Sequence, residues 1–410
     1  MTQGTGPNLN IISVHNRYLL RGGEDEVFES EASLMTQYGW QVTPVIEQNT
    51  HPDGVLKKIG VAMDCVWSRR WYREFTALLE KVKPDVVHIH NFFPLISPSI
   101  YYACRKAGVP IVQTLHNYRL LCPAATLYRD GDVCEECVQH GLLRGVRYGC
   151  YQGSKLGTGA VALMLQVHRR MRTWANMVDC YIALTEFARR KLIDGGLPAA
   201  KIRVKPNFVL PDPGLREKRG QYALFAGRLV DPKGLPTLLS AWKLLRKPIP
   251  LVIVGDGPNR SSLESQLADL PGVTYCGRLS HEATLEAIKG ARFLVFPSEW
   301  YEGFPVTIAE SFACGVPVIC SRLGSMQEIV ADGRTGLHFR PTEADDLASK
   351  IEWAWDHPEQ MEAMGRGARL EFEAKYTAER NFYLLKEIYE FAIHARSGRS
   401  APSEVEAVPV

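Results

Sequence analysis

The 410-residue sequence contains no run of apolar residues that approaches the roughly 20 needed for a membrane-spanning helix. Its first ten residues are polar, and they lack both the basic start and the apolar core of a secretory signal peptide. These two absences predict a cytoplasmic protein. Contact with the inner face of the membrane stays open as an alternative, because peripheral binding needs neither feature.

Positive and negative charges nearly balance over the whole chain, and one stretch has no acidic residues. The net charge is only +3, and we predict no nucleic-acid partner. No acidic residue occurs between Cys137 and Asn176, where apolar residues recur at helical spacing at Val161, Met164, Leu165, His168, Met171 and Trp174. This pattern predicts a basic amphipathic helix. Such a helix either lies on an anionic membrane or, more commonly, packs on the core with a solvated basic face.

Short apolar runs predict strands that alternate with helical stretches in two series. The first series is Asn10–Val14, Val42–Ile46, Val86–Ile89, Ile111–Leu115 and Cys180–Leu184. After a proline-rich segment at 206–214, the second is Tyr222–Ala226, Pro250–Val254, Val273–Cys276, Arg292–Phe296 and Val318–Cys320. The alternation predicts an α/β fold with two doubly wound parallel sheets. Ligands of such sheets bind beyond the carboxyl ends of the strands.

The second half is organised around the stretch from residue 294 to residue 320. An apolar run is stopped by Pro297, and helical spacing then extends over Val306–Ala313. Pro305 is predicted at the first helical position, where a helix tolerates proline. The free N–H groups at this helix start predict an anion site.

Two glutamates lie in this stretch. Glu302 is predicted in the loop and Glu310 on the helix, since a separation of eight residues would place them on different faces of one helix. Apolar neighbours surround Glu310, and a hydroxyl-rich ligand such as a ribose would satisfy its carboxylate. The alternative is a surface glutamate and a helix-capping glutamate.

Two cations flank another predicted helix start, in Gly227-Arg228-Leu229 and Lys233-Gly234. Five residues apart across a turn, Arg228 and Lys233 could converge on a diphosphate. Gly255 ends the next strand and allows either close approach of a nucleotide or a tight turn.

These motifs resemble the retaining GT-B glycosyltransferases of family four (glycosyl transferases group 1). The resemblance rests on the Glu-x7-Glu pattern of Glu302 and Glu310, on Gly303-Phe304-Pro305, on the segments 314–318 and 333–336 with Gly324 and Glu328 between them, and on Gly-Arg-Leu…Lys-Gly at 227–234. It covers most of the chain.

The resemblance implies two Rossmann-like domains that face a cleft. It places an acceptor-binding domain at residues 1–210, with a cysteine-containing insertion at about 117–178, and a nucleotide-sugar-binding domain at 211–375. A helix at 376–396 is expected to cross back onto the first domain. Residues 397–410 are poor in large apolar groups and are predicted to be disordered.

The implied reaction moves a sugar from a nucleoside-diphosphate sugar to a saccharide or lipid-linked acceptor with retained anomeric configuration, in bacterial polysaccharide or glycoconjugate synthesis. No metal cofactor is expected in that step. The implied catalytic residues are His116, Arg228, Lys233 and Glu302. The implied substrate-binding residues are Gly22, Gly23, Gly227, Gly255, Arg278, Leu279, Gly303, Phe304, Pro305 and Glu310.

The resemblance also assigns roles within these two sets. The diphosphate is assigned to the two cations, the sugar hydroxyls to Glu302 and the ribose to Glu310. His116 is expected to contact the donor sugar. Gly22 and Gly23 are expected beside the donor phosphate and the acceptor. The segment at Arg278 is expected to meet the nucleobase.

Four of the ten cysteines cluster in the insertion, at Cys122, Cys134, Cys137 and Cys150. A Cys-x2-Cys pair with one cysteine on each side could supply four thiolates to a structural zinc. Reduced thiols that merely pack in the core are the alternative, since disulfides are unusual in a cytoplasmic protein.

Two other functions remain open from the sequence. A GT-B sugar-nucleotide epimerase would rearrange or release the sugar without an acceptor. A non-catalytic sugar-nucleotide-binding protein would need only the binding residues, and the presence of both glutamates and both cations disfavours it.

Overall fold

The computed structural model describes residues 8–19, 22–49 and 54–397. These residues form two six-stranded parallel sheets and one two-stranded hairpin. The first sheet contains β1 (Asn10–Arg17), β2 (Gln41–Gln48), β3 (Val86–Asn91), β4 (Ile111–Leu115), β7 (Cys180–Ala183) and β8 (Ile202–Val204). The hairpin is β5 (Tyr128–Arg129) and β6 (Asp132–Val133). The second sheet contains β9 (Tyr222–Ala226), β10 (Leu251–Val254), β11 (Val273–Tyr275), β12 (Ala291–Phe296), β13 (Val318–Ser321) and β14 (Gly336–Phe339).

Helices connect the strands of both sheets. Those that accompany the first sheet are α1 (Gly23–Gln37), α2 (Val55–Val66), α3 (Arg69–Val82), α4 (Ser99–Ala107), α5 (Glu136–His140), α6 (Leu143–Tyr148), α7 (Lys155–Arg170), α8 (Thr173–Asn176) and α9 (Glu186–Asp194). Those that follow are α10 (Leu235–Leu244), α11 (Arg260–Gln266), α12 (His281–Gly290), α13 (Val306–Ala313), α14 (Gly324–Ile329), α15 (Ala344–Asp356), α16 (Pro358–Lys375) and α17 (Ala378–Ser397). No helix in these described ranges has the length and apolar content to cross a membrane.

The strand order identifies where each sheet can bind a ligand. The first sheet has the order β2-β1-β3-β4-β7-β8, and the second has the order β11-β10-β9-β12-β13-β14. In a doubly wound sheet the ligand crevice opens where the strand order reverses. That reversal lies between β1 and β3 and between β9 and β12. The loops beyond these four strands are therefore the first place to look for a site.

The burial of the central strands indicates that each parallel sheet is covered by helices on both faces. β4, β7 and β13 are buried along their whole length, as expected for parallel strands covered by helices on both faces. Each buried Val, Leu, Ile or Phe side chain contributes about 1.5–3 kcal/mol relative to exposure. The predicted α/β class and GT-B arrangement are confirmed.

The last helix packs on the first sheet, as the family resemblance implies. Phe382 stacks on Tyr38 at the end of α1, with ring centroids 3.8 Å apart. Tyr389 is fully buried, and its hydroxyl lies 2.8 Å from Nδ1 of His88 on β3. α17 therefore follows the second sheet in sequence and completes the core of the first.

The amphipathic helix of the basic stretch is α7, and its predicted apolar stripe belongs to the core. Val161, Met164, Leu165 and Trp174 are buried. Nε2 of His168 donates to the carbonyl oxygen of Val66, and its Nδ1 is hydrogen-bonded to the hydroxyl of Thr173. These residues of the stripe therefore pack in the core, whereas Met171 is exposed. Membrane contact stays a prediction.

Other local predictions differ from the structure in detail. Pro305 is the N-cap residue and α13 begins at Val306, so its predicted first helical position is wrong by one residue. The insertion contains the β5–β6 hairpin, which is not among the predicted strands. The predicted disordered tail lies outside the described residues from 398 onward, whereas Ser397 ends α17.

Candidate active site

Lys233 and Glu302 form an ion pair at the reversal point of the second sheet. Lys233 lies beyond β9 and its Nζ is 2.7 Å from Oε1 of Glu302, which lies in the loop beyond β12. The same oxygen accepts hydrogen bonds from the hydroxyl of Ser298 and the indole N–H of Trp300, both at 2.7 Å. Three donors thus fix the Glu302 carboxylate in a buried position.

Gly234 explains how Lys233 comes so close to that loop. Its φ is +73°, in the left-handed region that favours glycine. A Cβ at this position would lie 1.9 Å from the carbonyl oxygen of Pro297. Only glycine therefore lets the backbone beyond β9 touch the loop beyond β12.

Arg228 and Arg278 are exposed cations at the ends of β9 and β11. Neither side chain makes an ion pair or hydrogen bond with any residue in the described part of the chain. Gly227 and Gly255 lie against each other at this end of the sheet. A Cβ on Gly255 would lie 1.8 Å from the carbonyl oxygen of Gly227. At this edge of the sheet the two glycines leave the backbone uncovered and the two arginines are unpaired within the described ranges. Leu279, next to Arg278, is partly buried.

Glu310 lies on α13 with most of its side chain buried. Its Oε1 is 3.5 Å from Nε2 of His281. Burial raises the pKa of Glu310 to about 6, while His281 opposes the rise and Glu26 of α1 adds to it.

The start of α13 lies beside Glu302. Phe304 is buried and packs edge-on against Tyr376, with ring centroids 5.5 Å apart. Pro305 caps the helix, and its carbonyl oxygen accepts the N–H of Ile308. The N–H groups of the first helical turn lack intrahelical acceptors and can bind an anion.

Gly303 brings the two halves of the site together. A Cβ at Gly303 would lie 2.3 Å from the carbonyl oxygen of His116, which follows β4 of the first sheet. The loop that carries Glu302 therefore touches the histidine predicted from the other domain. The structure places these two predicted residues in one cleft.

His116 is held by a second histidine that sequence reasoning missed. Nε2 of His116 is 3.0 Å from Nδ1 of His90 at the end of β3, and the two rings stack. Burial lowers the pKa of both histidines well below their usual range, so both rings are neutral at neutral pH. One nitrogen of the pair donates and the other accepts, which fixes the orientation of the His116 ring.

Glu31, His88 and His90 are the one group in the described ranges that brings three ligand atoms within 4.8 Å of one another. The ammonium of buried Lys205 already binds the Glu31 carboxylate. Both ring nitrogens of His88 are taken, by Tyr389 and by Thr114 at 2.8 Å each. The group is therefore a buried ion pair within a hydrogen-bond network, not an open metal site.

Gly22 and Gly23 begin α1 and leave open space around them. A Cβ at either position would meet nothing within 4 Å. Next to them, the Glu24 carboxylate accepts from Nδ2 of Asn117 at 3.4 Å, and its Oε1 is buried without a partner among the described residues. Burial, with Asp25 second, raises the pKa of Glu24 to about 8. Glu24 was not among the site residues predicted from the sequence.

Cys122, Cys134, Cys137 and Cys150 lie in the insertion as free thiols. No three of their sulfur atoms lie within 4.8 Å of one another, and the zinc site stays a prediction. The insertion also contacts the second domain through Tyr128, whose ring meets that of Trp300 edge-on, with centroids 6.4 Å apart.

Glu328 is another functional candidate that the sequence left without a role. Its two carboxylate oxygens accept the backbone N–H groups of Glu186 and Phe187 at 2.7 and 2.6 Å. These N–H groups form the start of α9 in the first domain. The contact spans 142 residues of sequence, so local patterns carry no signal for it.

Comparisons with known proteins agree with this geometry. The Glycosyltransferase Family 4 model matches residues 38–212, and the Glycosyl transferases group 1 model matches residues 210–371. The D-rhamnosyltransferase WbpZ of Pseudomonas aeruginosa is 34% identical over 168 residues, which cover 40% of this chain and 44% of that protein. An uncharacterized glycosyltransferase of Methanocaldococcus jannaschii is 30% identical over 171 residues, which cover 41% of this chain and 48% of that protein. The chain thus spans about half the length of these curated relatives.

Solved structures share the fold over nearly the whole chain. HepE of Anabaena in complex with UDP-glucose has a TM-score of 0.66 at 16% identity, covering 93% of this chain and 99% of that one. A glycosyltransferase of Rickettsia africae has a TM-score of 0.66 at 18% identity, covering 94% and 99%. The paired family models and the shared two-sheet architecture lead to one conclusion: the chain belongs to the family 4 glycosyltransferases of the GT-B fold.

Proposed function

We propose that this protein transfers a sugar from a nucleoside-diphosphate sugar to an acceptor hydroxyl with retention of the anomeric configuration. The observation that carries the proposal is the placement of Arg228, Lys233 and Glu302 at the reversal point of the second sheet, in contact through Gly303 with His116 of the first. A cleft with fixed cations on one wall suits a reaction whose negative charge grows on a leaving diphosphate.

The donor-binding roles follow from the chemistry of each group. Exposed Arg228 offers a planar fork to the diphosphate, and Lys233 offers a point charge. Gly303 and Phe304, together with the start of α13 after Pro305, add N–H donors. Glu302, already aligned by three donors, accepts the hydroxyls of the transferred sugar, and Glu310 accepts those of the ribose. Gly227, Gly255, Arg278 and Leu279 line the nucleotide end.

The acceptor enters from the first domain in this proposal. Gly22 and Gly23 leave room beside the start of α1, and His116 faces the same region from β4. His116 is neutral, so its ring can hydrogen-bond to sugar hydroxyls without repelling the cations opposite. The acceptor hydroxyl attacks on the face from which the diphosphate leaves, and the departing phosphate oxygen takes its proton. The step uses no metal. We assign acceptor binding to residues 1–210 and donor binding to 211–375, as the resemblance implies.

The acceptor is a saccharide or a lipid-linked saccharide, used in polysaccharide or glycoconjugate synthesis. A surface on α2, α6 and α7 supports peripheral contact with the inner face of a membrane. These packed helices expose Met63, Leu143, Leu156 and Leu163, at 70%, 81%, 89% and 56% of their surface. Arginines at 144, 147 and 170 flank them. Exposed apolar groups with basic neighbours favour anionic lipid.

A donor screen tests the proposal. UDP-, GDP-, ADP- and TDP-sugars are compared by thermal shift and by diphosphate release, and the product linkage with the productive donor is read by NMR coupling at the anomeric carbon. We expect one nucleotide class to stabilise the chain and the product to keep the donor's anomeric configuration. An inverted product contradicts retention. Epimerised sugar formed from donor alone supports an epimerase, and binding without any turnover supports a non-catalytic protein.

A further inference from the structure

Two buried polar atoms lie close together behind His116, and neither has a hydrogen-bond partner in the described part of the chain. They are Nε2 of His90 and Oε2 of Glu31, which lie 3.6 Å apart. His90 is on β3 and Glu31 is on α1, and both side chains are buried. A buried polar atom without a partner is costly, so two complementary atoms this close are expected to pair.

The other neighbours of the Glu31 carboxylate leave Oε2 to His90. The Lys205 ammonium binds the opposite oxygen, Oε1. Nδ1 of His88 lies farther from Oε2, at 3.9 Å, and is hydrogen-bonded to the hydroxyl of Tyr389 at 2.8 Å. Lys205 is fully buried, and a buried ammonium needs a negative partner. A carboxylate in that role can only accept hydrogen bonds.

The Glu31 carboxylate therefore sets the direction of the hydrogen bonds between itself and His116. A neutral imidazole carries one N–H, and its other nitrogen accepts. Burial lowers the pKa of His90 and of His116 well below the usual range, and the Lys205 ammonium lowers both further, so both rings are neutral. Nε2 of His90 holds the hydrogen, because a bare nitrogen there would face an oxygen lone pair. Nδ1 of His90 is then the acceptor, and Nε2 of His116, 3.0 Å away, is the donor.

This direction leaves Nδ1 of His116 without a hydrogen. The His116 side chain is partly exposed, and its Nδ1 makes no hydrogen bond within residues 8–19, 22–49 and 54–397. The backbone of the same residue lies against Gly303, in the loop that carries Glu302. A ring nitrogen without hydrogen can only accept, so its partner in the cleft has to be a group that donates, such as a hydroxyl.

We propose that Glu31 and Lys205 are positioning residues that, through His90, hold His116 as its Nε2–H tautomer and present Nδ1 of His116 as an acceptor for a hydroxyl of the transferred sugar. Neither Glu31 nor Lys205 touches the substrate. The ion pair supplies a fixed carboxylate without giving the buried cluster a net charge. A preoriented acceptor of this kind needs no rearrangement when the sugar binds. The sugar contact rests on the transfer reaction proposed above, whereas the tautomers do not.

The tautomers can be measured in the full chain. With ¹⁵N-labelled histidine, long-range ¹H–¹⁵N correlation spectra distinguish a ring nitrogen that carries hydrogen from one that does not. The signals are assigned by their loss in His116→Asn and His90→Asn. At neutral pH and without ligand we expect hydrogen on Nε2 of both rings. Hydrogen on Nδ1 of His116 in the wild-type protein overturns the proposal.

Glu31→Gln should reverse both tautomers. Its amide oxygen faces the Lys205 ammonium, so its N–H groups face Nε2 of His90, which then accepts. Nδ1 of His90 donates to His116, whose own hydrogen moves to Nδ1 and removes the acceptor from the cleft. We expect kcat/KM with the donor found in the screen to fall roughly tenfold or more, while the affinity for free nucleoside diphosphate is unchanged. Glu80→Gln, an exposed glutamate of α3, is the matched control and should change neither the tautomers nor kcat/KM.

The possible results distinguish the tautomer assignment from the transfer reaction. Unchanged tautomers in folded Glu31→Gln contradict the role of Glu31. Reversed tautomers with wild-type kcat/KM contradict the contact between His116 and the sugar. If Glu31→Gln does not fold, the wild-type spectrum still decides the tautomer of His116. The expected tautomers together with failure of every donor to bind would contradict the transfer reaction and leave the direction of the hydrogen bonds standing.

Discussion

Lys233 and Arg228 are both predicted to bind the diphosphate, yet they differ in their surroundings. Lys233 is held by Glu302, whereas Arg228 is exposed and unpartnered within the described ranges. A hydrogen bond to a charged group contributes about 1.5–3 kcal/mol. We therefore expect Arg228→Ala and Lys233→Ala each to lower kcat/KM by roughly tenfold or more, measured with the donor found in the screen.

The two variants should separate in stability. Arg228→Ala should leave the melting temperature unchanged, while Lys233→Ala leaves a buried carboxylate with two donors in place of three and should lower it. Lys243→Ala, on the exposed part of α10, is the matched control. Wild-type turnover in either site variant would remove that residue from the diphosphate site.

The raised pKa of Glu310 leads to a prediction about how the stability of the fold depends on pH. Its pKa is raised from the model-peptide range to about 6, chiefly by burial, so between about pH 4.5 and 6 the folded chain holds a proton that the unfolded chain has lost. This contribution to stability is present below pH 4.5 and is lost as pH rises through 6. We expect denaturant unfolding of Glu310→Gln to lack that fall, which is on the order of 2 kcal/mol. Equal pH dependence in both proteins contradicts the assigned burial.

Whether a site residue could be predicted depends on how far its partners lie from it in the sequence. Glu302, Glu310, Arg228 and Lys233 belong to short local patterns, and a sequence shows such patterns directly. His90 meets His116 only because β3 and β4 are neighbours in the sheet, and Glu328 meets α9 only across the cleft. Long-range partners of this kind depend on the fold and leave no local signature.

Helices and strands also differ in how well local sequence patterns predicted them. Helical spacing with proline punctuation predicted α13, with its start displaced by one residue at Pro305. α2 was missed, since Gly60 interrupts its pattern and its N-cap Gly54 makes no side-chain cap. β8 and β14, of three and four residues, were not among the predicted strands. Periodicity also identified α7 as a helix, but it could not indicate that Leu156 and Leu163, off the predicted stripe, are the ones exposed.

The exposed side of α7 leads to a prediction about binding to anionic membranes. We expect the protein to float with vesicles that contain anionic phosphatidylglycerol at low salt, and to dissociate at high salt because basic side chains contribute. The double variant Leu156→Gln and Leu163→Gln should reduce flotation severalfold, while Leu370→Gln, equally exposed on α16 of the second domain, should not. Absence of wild-type flotation at low salt rules out this surface.

At the scale of the molecule, several contacts join the two domains around the cleft. Gly303 touches His116, Tyr301 packs on Phe187 with ring centroids 4.7 Å apart, and Glu328 binds the start of α9. The strand orders place both reversal points at this boundary. The sequence could predict both sheets, yet not these contacts, because each depends on how the finished domains dock. Catalysis by two facing walls requires that docking, so its polar contacts bear directly on turnover.

Glu328 tests whether this docking matters for transfer. Its carboxylate receives two N–H groups at the positive end of α9, an arrangement that a neutral amide satisfies poorly. We expect Glu328→Gln to lower kcat/KM by roughly tenfold while the affinity for free nucleoside diphosphate changes little, since Lys233 and Arg228 remain in place. Steady-state kinetics and calorimetric titration separate the two effects. Glu359→Gln, an exposed glutamate of α16 away from the cleft, is the control. Unchanged kcat/KM in Glu328→Gln would show that the α9 contact is dispensable, whereas an equal loss in nucleotide affinity would place Glu328 within the donor site itself.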